Sequence, residues 1–300
     1  MRTLDKIAEI LTAYSLQGEA FSVDESPLMQ KIALKMQREE ELVFILPAFP
    51  AKSPSSEKTV GEMPDFGEVL ALQNLQSICD DIRSLYEPGA RVVICSDGRV
   101  FSEVVKVSDE CIDRYNDGIR SIIQEYNFSS LSIFTMEDLF PEKTPTQLRE
   151  VLLDFYAMTT EEVRNLVCVN ENYRELFNGI HRFLLEDEVA MNTHSSKSAM
   201  TKETKKRAYE LLRRSDAWSS LLNEHFRDAL RLSIHPHPPG HEKFGIKLVL
   251  GSTKWATPWH NVVVKIKNNF ELMHRREALK LNAILKMEKD KYAYFEVPAV

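Results

Sequence analysis

The sequence predicts an α/β fold: a Rossmann-like, mostly parallel sheet flanked by helices, with a helical insertion in the middle of the chain. Three observations carry this. Short apolar runs rich in β-branched and aromatic residues alternate with longer stretches of helical periodicity through the first half. The middle is almost wholly helical in pattern. Three further β-rich runs then follow it.

Taken in order, Leu4, Ile7, Ala8, Leu11 and Tyr14 recur at helical spacing, and Pro27–Glu40 predicts a second helix with Pro27 suited to its first turn. Leu42–Phe49 is short, apolar and ended by prolines, as a strand buried on both faces is. A loop over Pro50–Glu62, a helix over Asp65–Tyr86 and a turn at Glu87–Gly89 lead to a second strand, Ala90–Asp97. Asp109–Tyr126 reads as a helix and Leu131–Met136 as a third strand. From Pro145 to about Arg227 the periodicity is helical. Arg231–Pro236, Phe244–Leu250 and Asn261–Ile266 predict three more strands, and a helix over Glu271–Glu288 is expected to close the chain. The expected organisation is one domain over 1–300: an α/β first half (1–144), a helical section (145–227), and a second strand group with a C-terminal helix (228–300).

Apolar residues make up 43% of the 300 and charged residues 28%, a balance that suits a globular protein with a sizeable core. The net charge of −7 argues against a general nucleic-acid binder, because neutralising phosphates needs a basic surplus. No apolar stretch approaches the roughly 18 residues of a membrane span. The amino-terminal segment carries Asp5 and Glu9 and reads as an amphipathic helix, not a secretory signal. Cys79, Cys95, Cys111 and Cys168 form no C-x-x-C pair and are expected as free thiols in a cytoplasmic protein.

In open α/β sheets, ligands sit beyond the carboxyl ends of the strands. The residues there are Lys52 and Ser53 after the first strand, Ser96, Asp97 and Arg99 after the second, and His235 and His237 after the fourth, with Trp259 and His260 before the sixth. Each alone has an ordinary reading: a surface lysine, a turn at Asp97-Gly98, a core aromatic. Their convergence on one end of the sheet is the functional signal. Along Arg231-Leu-Ser-Ile-His235, alternation puts Arg231, Ser233 and His235 on one face. Such a face is costly in a core strand unless its groups are paired internally or bind something. An arginine there suits a carboxylate or phosphate. His235, His237, His241 and His260 raise a metal question, but Pro236, Pro238 and Pro239 break the strand and no acidic ligand stands beside them, so no metal is expected. Histidine as acid or base is the stronger reading. The cluster Lys197, Lys202, Lys205, Lys206, Arg207, Arg213 and Arg214, against Glu203 and Glu210, reads either as a solvated helix face or as an anion-attracting lid. No nucleotide-binding or metalloprotease motif is present.

At these residues the chain resembles the pyoverdine/dityrosine biosynthesis family, whose bacterial branch holds PvcA-like isonitrile (isocyanide) synthases. The matching blocks are Leu46–Pro54 (LPAFPAKSP), Met63–Leu72 (MPDFGEVLAL), Val93–Ser102 (VICSDGRVFS), Arg231–Pro236 (RLSIHP) and Thr257–Val262 (TPWHNV), in family order over most of the chain. His237 departs from the glutamine expected after His235-Pro236. The resemblance implies joining the amine of an L-amino acid, commonly tyrosine or tryptophan, to C2 of ribulose 5-phosphate. It implies no cofactor, and a non-haem iron 2-oxoglutarate oxygenase that takes the product. In that chemistry Arg231 and Arg99 would clamp anions, Lys52 with Ser53 would hold phosphate beside Ser233, His235 and His260 would move protons, and Asp97 would hold the substrate ammonium or orient a histidine. Lys197, Lys202 and Lys205 would form a basic lid, and Trp259 or Phe49 would pack on the substrate's aromatic ring. A sugar-phosphate lyase or isomerase on the same scaffold, a non-catalytic relative and a metal hydrolase are the alternatives.

Overall fold

The computed structural model describes residues 3–16, 26–191, 196–237, 240–252 and 256–298. Helices α1 (Thr3–Ala13) and α2 (Pro27–Gln37) precede β1 (Leu42–Pro47), and α3 (Phe66–Leu85) leads to β2 (Ala90–Cys95). Helices α4 (Gly98–Val105) and α5 (Asp109–Glu125) lead to β3 (Leu131–Phe134). The insertion comprises α6 (Pro145–Tyr156), α7 (Thr160–Val169), α8 (Glu171–Met191) and α9 (Lys197–His225). It is followed by β4 (Leu230–Ser233), β5 (Lys243–Gly245), β6 (Val262–Ile266), β7 (Asn269–Met273), α10 (Arg275–Lys280), β8 (Ile284–Glu288) and β9 (Tyr292–Glu296).

The main sheet is five-stranded and parallel in the order β3-β2-β1-β4-β5. The chain winds outward from β1 to β3, then returns through the insertion to lay β4 on the other side of β1. The switch point where α/β sheets bind ligands therefore lies between β1 and β4. Alternation sorts the side chains into two layers. Phe44, Leu46, Val92, Ile94, Leu230, Leu232 and Phe244 pack with Ile7, Leu11, Ile32, Leu72 and Ile119 of α1, α2, α3 and α5. Ile45, Val93, Cys95 and Phe134 pack with Leu148 and Leu152 of α6 and Trp218, Leu221 and Leu222 of α9. Burial of both faces is why these strands read as continuous apolar runs.

Helix α9 is fastened across the second layer by its own arginines. Arg207 donates through Nε to the Val104 carbonyl at 2.6 Å, and Arg214 through Nη1 to the Val100 carbonyl at 2.9 Å. Both carbonyls belong to α4. The open edge at β5 is covered by the segment after α1: Leu16 N–H donates to the Gly245 carbonyl at 3.0 Å and Lys247 N–H to the Tyr14 carbonyl at 2.8 Å, around an antiparallel bridge of Ser15 with Ile246.

Four expectations are corrected. The helix expected over Glu271–Glu288 is absent; the segment forms β7, α10 and β8, which join β6 and β9 in a separate four-stranded sheet of order β7-β6-β9-β8. Its Glu, Leu, Lys and Ala content favours a helix, but strand pairing prevails, and left-handed residues at Lys267, Asn282, Lys289 and Asp290 mark the turns. The sixth expected strand accordingly lies outside the main sheet, and the fifth is limited to Lys243–Gly245. Asp97-Gly98, which resembles a simple turn, starts α4. Ser195 of the basic cluster, Pro238 and Pro239 lie outside the described residues. Among the described residues no helix is long and apolar enough to cross a membrane.

Gly98 is fixed by contact, since a Cβ there would lie 1.9 Å from the Pro50 carbonyl oxygen. This approach holds the loop after β1 against the start of α4. We expect Gly98→Ala to cost about 1–3 kcal/mol in denaturant unfolding, as overpacking does. An unchanged midpoint would show that the loop yields freely.

Candidate active site

The strand-end residues sort into three groups, each built by different elements. In the first, Lys52 is buried in the loop after β1, with Nζ 2.7 Å from Asp65 Oδ2, 2.8 Å from Glu68 Oε2 and 2.9 Å from the Pro258 carbonyl. An ammonium has three hydrogens, and these partners take all of them. Burial pulls Lys52 down, but the fields of Asp65 and Glu68 prevail and hold its pKa above the usual lysine value. Glu68 also accepts the Tyr115 hydroxyl at 3.0 Å through Oε1. Ser53 is buried too; its hydroxyl accepts the Ser55 N–H at 3.3 Å. The Lys52 ammonium therefore has no hydrogen left for a phosphate. His260, in a 3₁₀ turn (Pro258–His260), sits edge-on to Phe183 of α8 at 4.6 Å between ring centres. Burial, then Lys58 and Lys52, push its pKa down to about 3, and its Nδ1 is sealed without a hydrogen-bond partner. Phe49 and Trp259 pack on each other at 5.1 Å and are 1% and 2% exposed, so they form core and offer no face to a substrate.

The second group surrounds Arg99 in α4. Its guanidinium reaches Glu137 at 2.7 Å, Asp109 at 2.8 Å and Asp113. Three carboxylates engage the fork, so in this structure it holds α5 and the turn after β3 to α4. Arg149 of α6 extends this network to Asp109 and Glu103, and Arg214 of α9 meets Glu103 at 3.0 Å.

The third group lies on the α9 face of β4 and β5. Arg231 is 8% exposed, and it has no carboxylate within ion-pair distance among the described residues. It donates to Asn223 Oδ1 at 2.8 Å and Ser219 Oγ at 3.3 Å, while its Nε is sealed and unused. Lys243 of β5 is its register neighbour. Asp216, Ser219 and Asn223 share one stripe of α9, and Asp216 accepts the Tyr173 hydroxyl of α8 at 3.0 Å. Burial raises Asp216, opposed by the Tyr173 bond and by Lys243. Beyond β4, His235 N–H donates to Ser233 Oγ at 3.0 Å. Its surroundings, then Lys243, lower the imidazole below the ordinary histidine value. His237 stacks on His241 at 4.4 Å and is pushed down to about 4, mainly by burial. Among the described residues no three His, Cys, Asp or Glu side chains are grouped to hold a metal.

Asp97 stands between the groups, at the end of β2. Its Oδ1 is sealed with no hydrogen-bond partner, and burial lifts its carboxyl to about 7. Burial, then Glu68 and Asp65, raise the Tyr115 phenol of the first group, to which Asp97 adds; burial raises the Cys95 thiol, opposed by Arg231 of the third group and supported by Asp97. Lys197, Lys202 and Lys205 are exposed on the first turns of α9, where they line a shallow groove. They are about 16 to 28 Å along the helix from Asp216, at 1.5 Å per residue. Arg207 and Arg214 of the same cluster point inward and are paired. The sequence reading did not include Lys243, Asp216, Tyr173, Ser219 or Asn223. A polar stripe at i, i+3, i+7 inside an otherwise apolar helix face is the signal that marks the α9 members.

An open parallel sheet with its switch point between β1 and β4, and a helical insertion carrying part of the site, defines the class as α/β. The chain belongs to the pyoverdine/dityrosine biosynthesis protein family, which matches residues 32–285. It is 40% identical over 270 residues to L-tryptophan isonitrile synthase AmbI2 of Fischerella ambigua, covering 90% of this chain and 82% of that one. It is 38% identical over 275 residues to an L-tyrosine isonitrile synthase of Pseudomonas aeruginosa, covering 90% and 84%. The crystal structure of PvcA from Pseudomonas aeruginosa matches with a TM-score of 0.92 at 35% identity, over 99% of this chain and 100% of that one.

Removing the Lys52 charge leaves two buried carboxylates facing each other. We expect Lys52→Met to lose about 3–5 kcal/mol in urea unfolding, as breaking a buried ion pair does. A variant of normal stability that binds sugar phosphate poorly would instead return Lys52 to the phosphate site. For Asp97, the folded carboxyl sits at about 7, above an unfolded value near 3.9. The native state keeps a proton that the unfolded chain has lost, so this contribution to stability is complete below about pH 4 and vanishes as pH rises through about 7. The melting temperature of Asp97→Asn should therefore gain on the wild type between pH 5 and pH 8; a constant difference would contradict the assignment.

Proposed function

We propose that this chain is a cytoplasmic isonitrile synthase that converts the amino group of an L-amino acid, tryptophan or tyrosine, to an isocyanide with ribulose 5-phosphate as carbon donor. The observation that carries this reading is 40% identity over 90% of the chain to a relative named an L-tryptophan isonitrile synthase. The site chemistry supports it. The amine attacks the C2 ketone of the sugar, water leaves and an imine forms; the sugar is then dismantled with C2 retained as the isonitrile carbon. Each proton movement needs a group that titrates near neutrality. Asp97 at about 7 suits that role, and His235, exposed just beyond β4 with its pKa lowered by its surroundings and Lys243, suits proton acceptance. Arg231 holds an anion, and Ser233 orients the His235 backbone. His260 at about 3 is too weak a base to be protonated near neutral pH, and we assign it to positioning beside Phe183. Lys197, Lys202 and Lys205 draw anionic reactants towards the insertion by their field. The reaction so written uses no metal and no nucleotide, and a non-haem iron 2-oxoglutarate oxygenase consumes the product.

The test is mass spectrometry of products from ribulose 5-phosphate labelled at C2, with the amino acid alone, the sugar phosphate alone, and both. Labelled isonitrile is expected only with both. Turnover of the sugar phosphate by itself would favour a lyase or isomerase. Arg231→Ala and His235→Ala should each lower kcat/KM by at least about 100-fold with circular dichroism unchanged. A chelator should leave the rate intact.

A further inference from the structure

We propose that Lys243 and Arg231 form a two-cation cradle on the α9 face of the sheet, and that its occupant is the phosphate monoester of the sugar co-substrate. This rests on the reading above for the identity of the sugar, but not for the existence of the cradle.

Seven lysine and arginine side chains are buried among the described residues: Lys52, Lys58, Arg99, Arg149, Arg207, Arg214 and Arg231. All but Arg231 have a carboxylate within ion-pair distance. This protein balances its buried cations as a rule, so the exception is informative. Arg231 gives two of its donors to neutral oxygens and leaves Nε sealed and unpaired. A buried, unbalanced guanidinium is costly unless something else supplies the charge.

The ladder then adds a second cation. Arg231 and Lys243 are directly paired in parallel strands. Paired positions in neighbouring strands lie about 4.8 Å apart and project from the same face. That face is the one α9 covers with Asp216, Ser219 and Asn223. The charges around the pair are few. Asp216 is engaged by Tyr173, Glu242 acts on both cations from outside ion-pair distance, and burial pushes the Cys95 thiol up, away from its charged form. Burial lowers the pKa of both cations; Arg231 lowers Lys243 further, and Asp216 and Glu242 offset this only in part, with neither within ion-pair distance.

The occupant follows from charge and shape. A single carboxylate would neutralise one cation and leave the other. A phosphate monoester carries close to two charges at neutral pH and presents three acceptor oxygens. The arginine fork binds two of them side by side, and a lysine binds the third as a point charge. Ser219 and Ser233 supply neutral donors from either side.

Thermal melting and calorimetry with inorganic phosphate, ribulose 5-phosphate and L-tryptophan separate the outcomes without requiring turnover. Inorganic phosphate should raise the wild-type melting temperature saturably and compete with ribulose 5-phosphate. Lys243→Met should weaken phosphate binding at least about tenfold, with Lys243→Arg restoring it. In phosphate-free buffer Lys243→Met should melt no lower than the wild type, because it removes a repulsion and breaks no ion pair. The KM for the sugar phosphate should rise while that for the amino acid stays constant. Phosphate binding equal to wild type in Lys243→Met, or a loss of stability without phosphate, overturns the cradle. A rise confined to the amino-acid KM overturns the occupant. Phosphate binding that depends on Lys243 in a protein that makes no isonitrile would refute the proposed reaction and leave the cradle standing.

Discussion

The ammonium of Lys52, buried between two carboxylates, is the constraint around which the carboxyl end of the sheet is assembled. Asp65 and Glu68 also form the capping box of α3, with Asp65 accepting the Gly67 N–H at 2.8 Å and Glu68 accepting the Asp65 N–H at 2.9 Å. One cation therefore joins the loop after β1 to the start of α3, and its bond to the Pro258 carbonyl brings in the segment before β6. Ser53 N–H donates to the Trp259 carbonyl at 2.8 Å and closes the same junction. Such an arrangement is stable because every carboxylate oxygen and ammonium proton in it has a partner; with one partner missing, the remaining charges would be stranded in a dry interior.

Elsewhere the same chemistry divides into two uses. Paired charges hold elements together: Lys58 to Asp187 at 2.6 Å ties the β1 loop to α8, Arg207 to Glu188 at 2.6 Å ties α9 to α8, and the Arg99–Asp109–Arg149–Glu103–Arg214 chain ties α4, α5, α6 and α9. Cations and acids with no ion pair among the described residues, namely Arg231, Lys243 and Asp97, collect on β4, at the start of β5 and at the end of β2. The insertion thus serves both ends: its arginines lock it onto α4, and the locked helix presents Asp216, Ser219 and Asn223 to the cations of β4 and β5.

The layout of the main sheet was legible because parallel strands buried on both faces leave an unmistakable apolar run, as Leu42–Leu46 and Val92–Cys95 do. The family blocks were legible for the same reason, since they cluster at strand ends. What the sequence could not disclose was partnership. Lys52 and Arg99 looked like anion ligands because they follow strands, and only the fold reveals that Asp65, Glu68, Asp109, Asp113 and Glu137 already occupy them. Lys243 escaped notice because it opens its strand and does not follow it; its importance comes from the register of β4 with β5, which no local pattern encodes. The C-terminal sheet was hidden by residues of high helix propensity whose pairing is decided by distant strands.

The strand that carries Lys243 is three residues long and lies at the sheet's margin. Its outer side is stitched by the stretch Tyr14–Leu16, which descends directly from α1. The amino-terminal helix is thus a remote brace for chemistry it never touches. Disturbance there loosens the margin first, because short peripheral strands open at low free energy while the central ones stay closed. Heating or trimming at that end would free Lys243 from its register with Arg231 while the central strands stayed folded.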